Sequence, residues 1–257
     1  MIEEKNTAII TYLDKHFQTN LVYDFLPTLK EHYTGTIVVI DYGMDKKYVT
    51  MAEGMGAIVI KFKPNGKIES HRNREILQVI YELPPHISHM MTIDAGDVWF
   101  QEQFSTVWNM VEDSIGFVEE DESCDDIVMT NWINKLGDED VKRLLKGTTL
   151  KGSGMMCGPR ELMFKFLLRL NNYIELQIQD YFGLDQVAFN YMVMKCSEEM
   201  NFTILPSTYD YVLISRNRTE GFYLIDGLIY DKKKKLVKIV HNAGGGHRLF
   251  PRGRNYL

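Results

Sequence analysis

Four short apolar runs, residues 7–13, 35–41, 57–62 and 89–94, alternate with stretches of helical period in the first half of the chain. A strand that is apolar nearly throughout has both faces covered, and strands separated by helices pair in parallel because a parallel neighbour needs a long crossover. The intervening stretches supply those helices. Residues 21–33 set Leu21, Phe25, Leu26, Leu29 and Tyr33 on one stripe, and residues 74–83 set Ile76, Leu77, Ile80 and Tyr81 on another before Pro84-Pro85 stops the turn. The expected fold is α/β, with a Rossmann-like, mostly parallel central sheet flanked by helices.

The second half reads as decoration on that sheet. A helix is expected from Glu102, then an acidic loop over 119–126, a strand over 127–132 and a long helix beginning near Pro159. Residues 201–213 look irregular to extended, and 221–241 read as successive hairpins turned by Asp226-Gly227 and by 231–235. No linker, repeat or low-complexity segment interrupts the 257 residues, of which 45% are hydrophobic, so one continuous domain is expected over 1–257.

Several classes are excluded. Cys124, Cys157 and Cys196 are odd in number and far apart, which argues against a disulfide framework or a zinc ribbon and for a reducing compartment. The start Met1-Ile2-Glu3-Glu4-Lys5 lacks the features of a secretory signal, and no apolar run reaches the ~18 residues of a membrane span, so a cytoplasmic location is expected. A net charge of -6 provides no field for holding a nucleic acid backbone.

The strongest chemical signal is Met90-Met91-Thr92-Ile93-Asp94-Ala95-Gly96-Asp97-Val98-Trp99-Phe100, where acidic residues end an apolar strand. Ligands of open α/β sheets bind at the carboxyl ends of strands. Asp94 and Asp97 point to opposite faces of a straight strand, so they converge only where the chain bends, and Gly96 permits a bend. Two convergent carboxylates suit Mg²⁺ or Mn²⁺ held against a diphosphate. The simpler alternative is one aspartate ending a strand and another capping the next helix.

With these residues in place, the chain resembles the GT-A-fold nucleotide-sugar glycosyltransferases, in a layout similar to glycosyltransferase family 8. The acidic motif 94–100 looks like the metal-binding motif of such enzymes, and three later segments agree in order: Gly152 to Arg160, Leu184 to Asn190, and Val240-His241-Asn242-Ala243-Gly244. The resemblance implies a metal site of Asp94, Asp97 and His241 and a nucleotide-binding half over 1–100. It places the nucleotide base near Thr11, Tyr12 and Leu13, and the donor diphosphate or sugar near Arg74, Asp94, Ser153, Gly154 and Gly244. It implies an acceptor-side half over 101–257, with Asp185 and Gln186 as the catalytic pair. The family's acidic motif has one residue between its aspartates, whereas here two intervene, and which aspartate is the principal ligand stays open. Where family 8 carries a phosphate-binding lysine, this chain reads His247-Arg248, either of which can supply the cation.

The expected activity is metal-dependent transfer of a sugar from a nucleotide diphosphate sugar, a UDP-sugar on the resemblance, to an unidentified acceptor hydroxyl. Mn²⁺ or Mg²⁺ is the expected cofactor; the donor and a glycan, protein or small-molecule acceptor are the expected partners. Charge left on the departing diphosphate calls for a metal and nearby cations. Asp185 then serves as general base or orienting group, or only caps a helix beginning at Gln186. Trp132 has an aromatic face to offer an acceptor sugar, although burial in the core is the simpler reading. A sugar-phosphate nucleotidyltransferase would need an early glycine-rich loop, and residues 7–20 hold no glycine. A haloacid-type phosphatase at Asp41 would need a second aspartate where Gly43 stands. A non-catalytic nucleotide- or sugar-binding protein with the same fold is the remaining competitor.

Overall fold

The computed structural model describes residues 2–64, 66–213 and 222–242. Strands β1 (Thr7–Leu13), β2 (Thr36–Asp41), β3 (Ile58–Lys61) and β4 (His89–Asp94) pair in parallel in the order β3-β2-β1-β4. Beyond a short β5 (Val98–Phe100), the sheet is extended by β6 (Ile115–Ser123), β7 (Thr149–Lys151), β8 (Met155–Pro159) and β9 (Phe202–Leu205). β8 lies antiparallel to β4, β6 follows β8, and β7 and β9 both pair with β6. The molecule is therefore an α/β protein with a large, mostly parallel central sheet.

Helices cover both faces. Gln18–Asn20 (α1) runs through a π-turn at Leu21–Phe25 into Leu26–His32 (α2), followed by α3 (Lys46–Gly54), α4 (Ile68–Glu82) and α5 (Thr106–Met110). The later helices are α6 (Ile127–Leu136), α7 (Glu139–Leu145), α8 (Arg160–Glu175) and α9 (Leu184–Cys196). Strand alternation sorts the core into two layers. Ala8, Ile10, Val38 and Ile40 pack with Ile76, Phe166 and Phe189 of α4, α8 and α9. Ile9, Leu13, Ile37 and Val39 pack on the other side with Leu21, Phe25, Leu29 and Trp108. The stripe from Leu21 to Tyr33 is buried throughout, as its spacing predicts.

The remaining strands form small sheets. β10 (Tyr211–Val212), β13 (Ile239–His241) and β5 make one, while β11 (Tyr223–Ile225) and β12 (Leu228–Tyr230) make a hairpin. Asp226 and Gly227 turn that hairpin at φ 51° and 78°, the paired positive φ of a type I′ turn. Asp231 closes the second expected turn by accepting from the Lys233 and Lys235 amides, and Leu236 then bridges back to Tyr230.

The structure corrects several local expectations. Residues 127–132 are helix, not strand: the Asp126 carboxylate accepts from the Val128 amide at 2.8 Å to start α6, and Gly137 at φ 72° ends it. The acidic loop is in part strand, because Glu119 and Ser123 pair with Lys151 and Thr149 across β6 and β7. α4 begins six residues before Arg74, at Ile68, and leaves Tyr81 80% exposed. The helix expected from Glu102 starts at Thr106. β3 is an edge strand with Ile58 51% exposed, so it lacks the double cover its apolar run suggests. All three cysteines are free and buried. Among the described residues no helix is long and apolar enough to cross a membrane.

Candidate functional site

A cleft of about 540 Å³ opens where β1 and β4 end, lined by Tyr12, Leu13 and Asp94 from those ends. That size is ordinary for a small-molecule site. Strand register explains what gathers there. Tyr12 lies opposite Asp94 across β1 and β4, and Ile93 lies opposite Met155 of β8. Gly154, immediately before β8, therefore meets Asp94, whose amide donates to the Gly154 carbonyl at 3.1 Å. His241 of β13 lies opposite Val98 of β5, beside Asp97, and the Asn242 amide donates to the Asp97 carbonyl at 2.8 Å. Two strand ends remote in sequence thus bring Asp94, Asp97 and His241 to one point.

His241 Nε2 stands 3.6 Å from Asp94 Oδ2 and 3.4 Å from Asp97 Oδ1, while its Nδ1 lies 3.2 Å from Asp210 Oδ1. Asp210 is 1% exposed. With Nδ1–H donated to Asp210, a neutral imidazole would aim its Nε2 lone pair at two carboxylates, an arrangement that demands positive charge. A proton is one answer: burial opposes the charge on His241, but Asp97 and Asp210 outweigh it and hold its pKa well above the ordinary imidazole value. A metal ion is the other, because a carboxylate behind a metal-bound imidazole is the usual support of such a ligand. The donor chemistry, two carboxylates and one imidazole, suits Mn²⁺. Among the described residues no group of three or more His, Cys, Asp or Glu side chains is placed so that it could hold a metal ion. Neighbouring ligands of one octahedral ion lie roughly 3 Å apart, and His241 Nε2 stands 3.6 and 3.4 Å from the two carboxylates, so a metal would have to draw the imidazole and the carboxylates together.

Gly154 makes the close approach possible. A Cβ there would lie 2.6 Å from His241 Cε1 and 3.2 Å from Asp94 Oδ2. Gly96 serves space more than bending: its φ is not positive, and a Cβ would sit 2.5 Å from the Phe17 ring.

Arg72 was not among the residues expected from sequence, yet it ties the site together. Its guanidinium lies 3.5 Å from Asp94 Oδ1 and 3.2 Å from Asp185 Oδ2, with its Cζ 4.4 Å above the Tyr12 ring. Burial works against its charge, but Tyr12, Asp94 and Asp185 raise its pKa above the ordinary arginine value. Burial also raises Asp94 and Asp185, with Arg72 pulling both back. Tyr12, whose hydroxyl donates to Asp94 Oδ1, is 7% exposed with one ring face taken by Arg72.

The expected residues divide into those the fold gathers and those it places elsewhere. Tyr12, Leu13, Asp94, Asp97, Ser153, Gly154, Asp185, Gln186 and His241 line the cleft. Thr11 does not: it points to the other face and donates to the Ile93 carbonyl at 2.7 Å. Arg74 does not either, since it lies two residues or about 200° around α4 from Arg72 and pairs with Glu75 at 2.7 Å. Gln186 has a structural engagement, accepting from the Ser153 amide at 3.0 Å and donating to the Lys151 carbonyl, so it positions the Ser153-Gly154 segment. Asp185 does not precede its helix; α9 begins at Leu184, with Gly183 at the cap position. Trp132 is half-buried and lines the cleft. Gly244, His247 and Arg248 lie outside the described residues.

Two missed residues carried unequal signals. Arg72 shares the i, i+4, i+8 stripe with buried Ile76 and Ile80, whereas Arg74 shares the exposed stripe of Gln78 and Glu82. An arginine on an apolar stripe was visible in the sequence once α4 is begun early enough. Asp210 had no local signal, because only the pairing of Val212 with His241 brings it near the site. No protein-family model matches the chain, and a search of curated proteins returns no match.

Proposed function

We propose that this chain is a GT-A-like, metal-dependent glycosyltransferase that moves a sugar from a nucleotide diphosphate sugar, a UDP-sugar on the sequence resemblance, to an acceptor hydroxyl. One observation carries the reading: an imidazole backed by the buried Asp210 faces two carboxylates at the carboxyl end of the central strand. Asp94, Asp97 and His241 would hold the ion. When bound, it supplies positive charge for the diphosphate that departs with the electron pair of the broken sugar–oxygen bond. Among the described residues nine Asp and Glu side chains line the cleft against Arg72 and His241. A diphosphate entering so acidic a cleft needs that added charge.

Arg72 holds Asp94 and Asp185 in fixed relation, and Ser153-Gly154 presents a small-residue wall to the donor sugar. The acceptor oxygen bonds to the anomeric carbon as the bond to the diphosphate oxygen breaks. Asp185 takes the hydroxyl proton in an inverting reaction or orients that hydroxyl in a retaining one. The Arg72 ion pair on Asp185 favours a second reading, a non-catalytic binding protein in which that carboxylate is spent on structure.

The test is thermal unfolding with UDP-glucose, UDP-galactose and GDP-mannose, each with and without Mn²⁺, followed by assay of nucleotide release. The expected outcome is a rise in the midpoint with a UDP-sugar only when Mn²⁺ is present, lost in Asp97→Asn. Stabilisation without nucleotide release across acceptors points to the binding protein, and no stabilisation by any donor overturns both readings.

A further inference from the structure

The β11–β12 hairpin is apolar on the face it turns outward. Ile229 is buried in a cluster with Trp99, Val237 and Val240, which fixes the inner face of the hairpin. Alternation then turns Tyr223, Ile225, Leu228 and Tyr230 to the opposite face. Register sets them in two cross-strand rows, Tyr223 beside Tyr230 and Ile225 beside Leu228, and Leu236 extends the first row through its bridge to Tyr230. Tyr223, Leu224 and Ile225 are each 45% exposed, and among the described residues no strand covers the free edge of β11. The hairpin is firmly held all the same. Buried Gln101 donates to the Ile229 and Val237 carbonyls at 3.1 and 2.8 Å and accepts from the Ile229 amide at 3.0 Å. A contiguous apolar face on a fixed support marks a surface for another body.

Charge says which body. Lys232, Lys233, Lys234 and Lys235 follow β12 after Asp231, four consecutive cations in a chain of net charge -6. Buried Asp231 gathers the turn by accepting from the Lys233 and Lys235 amides at 2.9 and 2.8 Å, and all four lysines are exposed. Lys234 Nζ stands 5.6 Å from the centre of the Tyr223 ring, so the cationic turn borders the apolar rows directly. Lys232 pairs with Asp121, and Lys233, Lys234 and Lys235 carry the field. Within 222–230 the single acid, Asp226, sits in the tip at the far end of the hairpin. Tyrosines and aliphatic side chains in rows, bordered by lysines, match a lipid surface: the apolar groups enter at headgroup level and the ammonium groups meet phosphates. We propose that the β11–β12 hairpin and the lysine turn form a docking surface for an anionic membrane, on which the chain lies as a peripheral protein.

The test uses the full chain and unilamellar vesicles of phosphatidylcholine, alone or with about a quarter phosphatidylglycerol, with binding read by co-flotation. The chain is expected to float with the anionic vesicles only, and salt at about 0.5 M to release it. Lys233→Ala combined with Lys235→Ala is expected to weaken binding roughly 20-fold, since each lysine near an anionic surface counts for about fivefold. Ile225→Ser is expected to weaken it roughly fivefold with the unfolding midpoint unchanged. Should that variant fail to fold, the exposed lysine pair still gives the reading. Ile225→Trp is expected to add emission that moves to the blue with anionic vesicles, which reports entry of the face rather than attraction alone. Flotation with both vesicle types alike, flotation with neither, or binding that survives both the lysine and the Ile225→Ser changes overturns the proposal. A dimer in lipid-free solution that Ile225→Ser dissociates assigns the face to a second copy and overturns it too. Mn²⁺ binding is expected to be unchanged in every variant, so loss of the membrane contact and failure of the cleft reading are told apart.

Discussion

At the scale of single residues, the site is governed by a carboxylate that acts through its neighbour. Asp210 is buried behind His241 and, by accepting Nδ1–H, leaves Nε2 facing Asp94 and Asp97. Asp210→Asn keeps a hydrogen-bond acceptor but removes the charge. It is expected to weaken Mn²⁺ binding by about 10- to 100-fold while leaving circular dichroism unchanged. Free Mn²⁺ measured by electron paramagnetic resonance reads this without any assay of activity. Unchanged affinity would remove His241 from the proposed metal site. A carboxylate of this kind cannot be found by local pattern, because its role comes from a strand partner 31 positions away.

Among the elements, α6 is the instructive one. Ile127, Val128 and Thr130 are β-branched, which favours a strand, yet Asp126 at one end and Gly137 at the other are helix start and stop signals. Its terminal signals prevailed because they satisfy backbone groups that a lone strand over 127–132 would leave to water. Asp126→Ala is expected to cost about 1 kcal/mol in denaturant unfolding, and no measurable loss would mean the cap is dispensable. α4 is held at its other end by Arg160, which donates to the Ile80, Leu83 and Pro84 carbonyls at 2.6, 2.9 and 2.9 Å. A cation at a helix C-terminus is well placed. The contact locks α4, and with it Arg72, against the start of α8.

Across the whole molecule, His89 reports on the integrity of the sheet. It opens β4, between Thr7 of β1 and Pro159 of β8, with Nδ1 3.0 Å from the Ser88 hydroxyl and Nε2 3.4 Å from the Glu112 carbonyl. Burial lowers its pKa below the ordinary 6.5, with the Glu112 carbonyl working the other way. The unfolded chain therefore takes up this proton first as pH falls. The contribution of neutral His89 to stability is present above the ordinary value and is lost as pH drops through the lowered folded value. Urea unfolding from pH 7.5 to about 5 is expected to show a smaller acid-induced loss for His89→Gln than for the natural chain. Parallel losses would assign the acid sensitivity to carboxylates instead.

The chain announces the layered sheet by itself. The spacing of apolar residues at 7–13 and 89–94 matches β1 and β4 to the residue, and the stripe from Leu21 to Tyr33 is buried as its period requires. Aspartates at a strand end mark where a ligand can approach. Those features are legible because periodicity and strand ends are local properties. Arg72 was legible as an arginine on the apolar stripe of α4 once that helix is begun early enough, whereas tertiary structure alone decided that Thr11 bonds within the sheet and that Asp210 backs His241. Each depends on helix phase, strand register or a long-range pair: a one-residue slip turns a strand side chain to the opposite face and a helical one by about 100°.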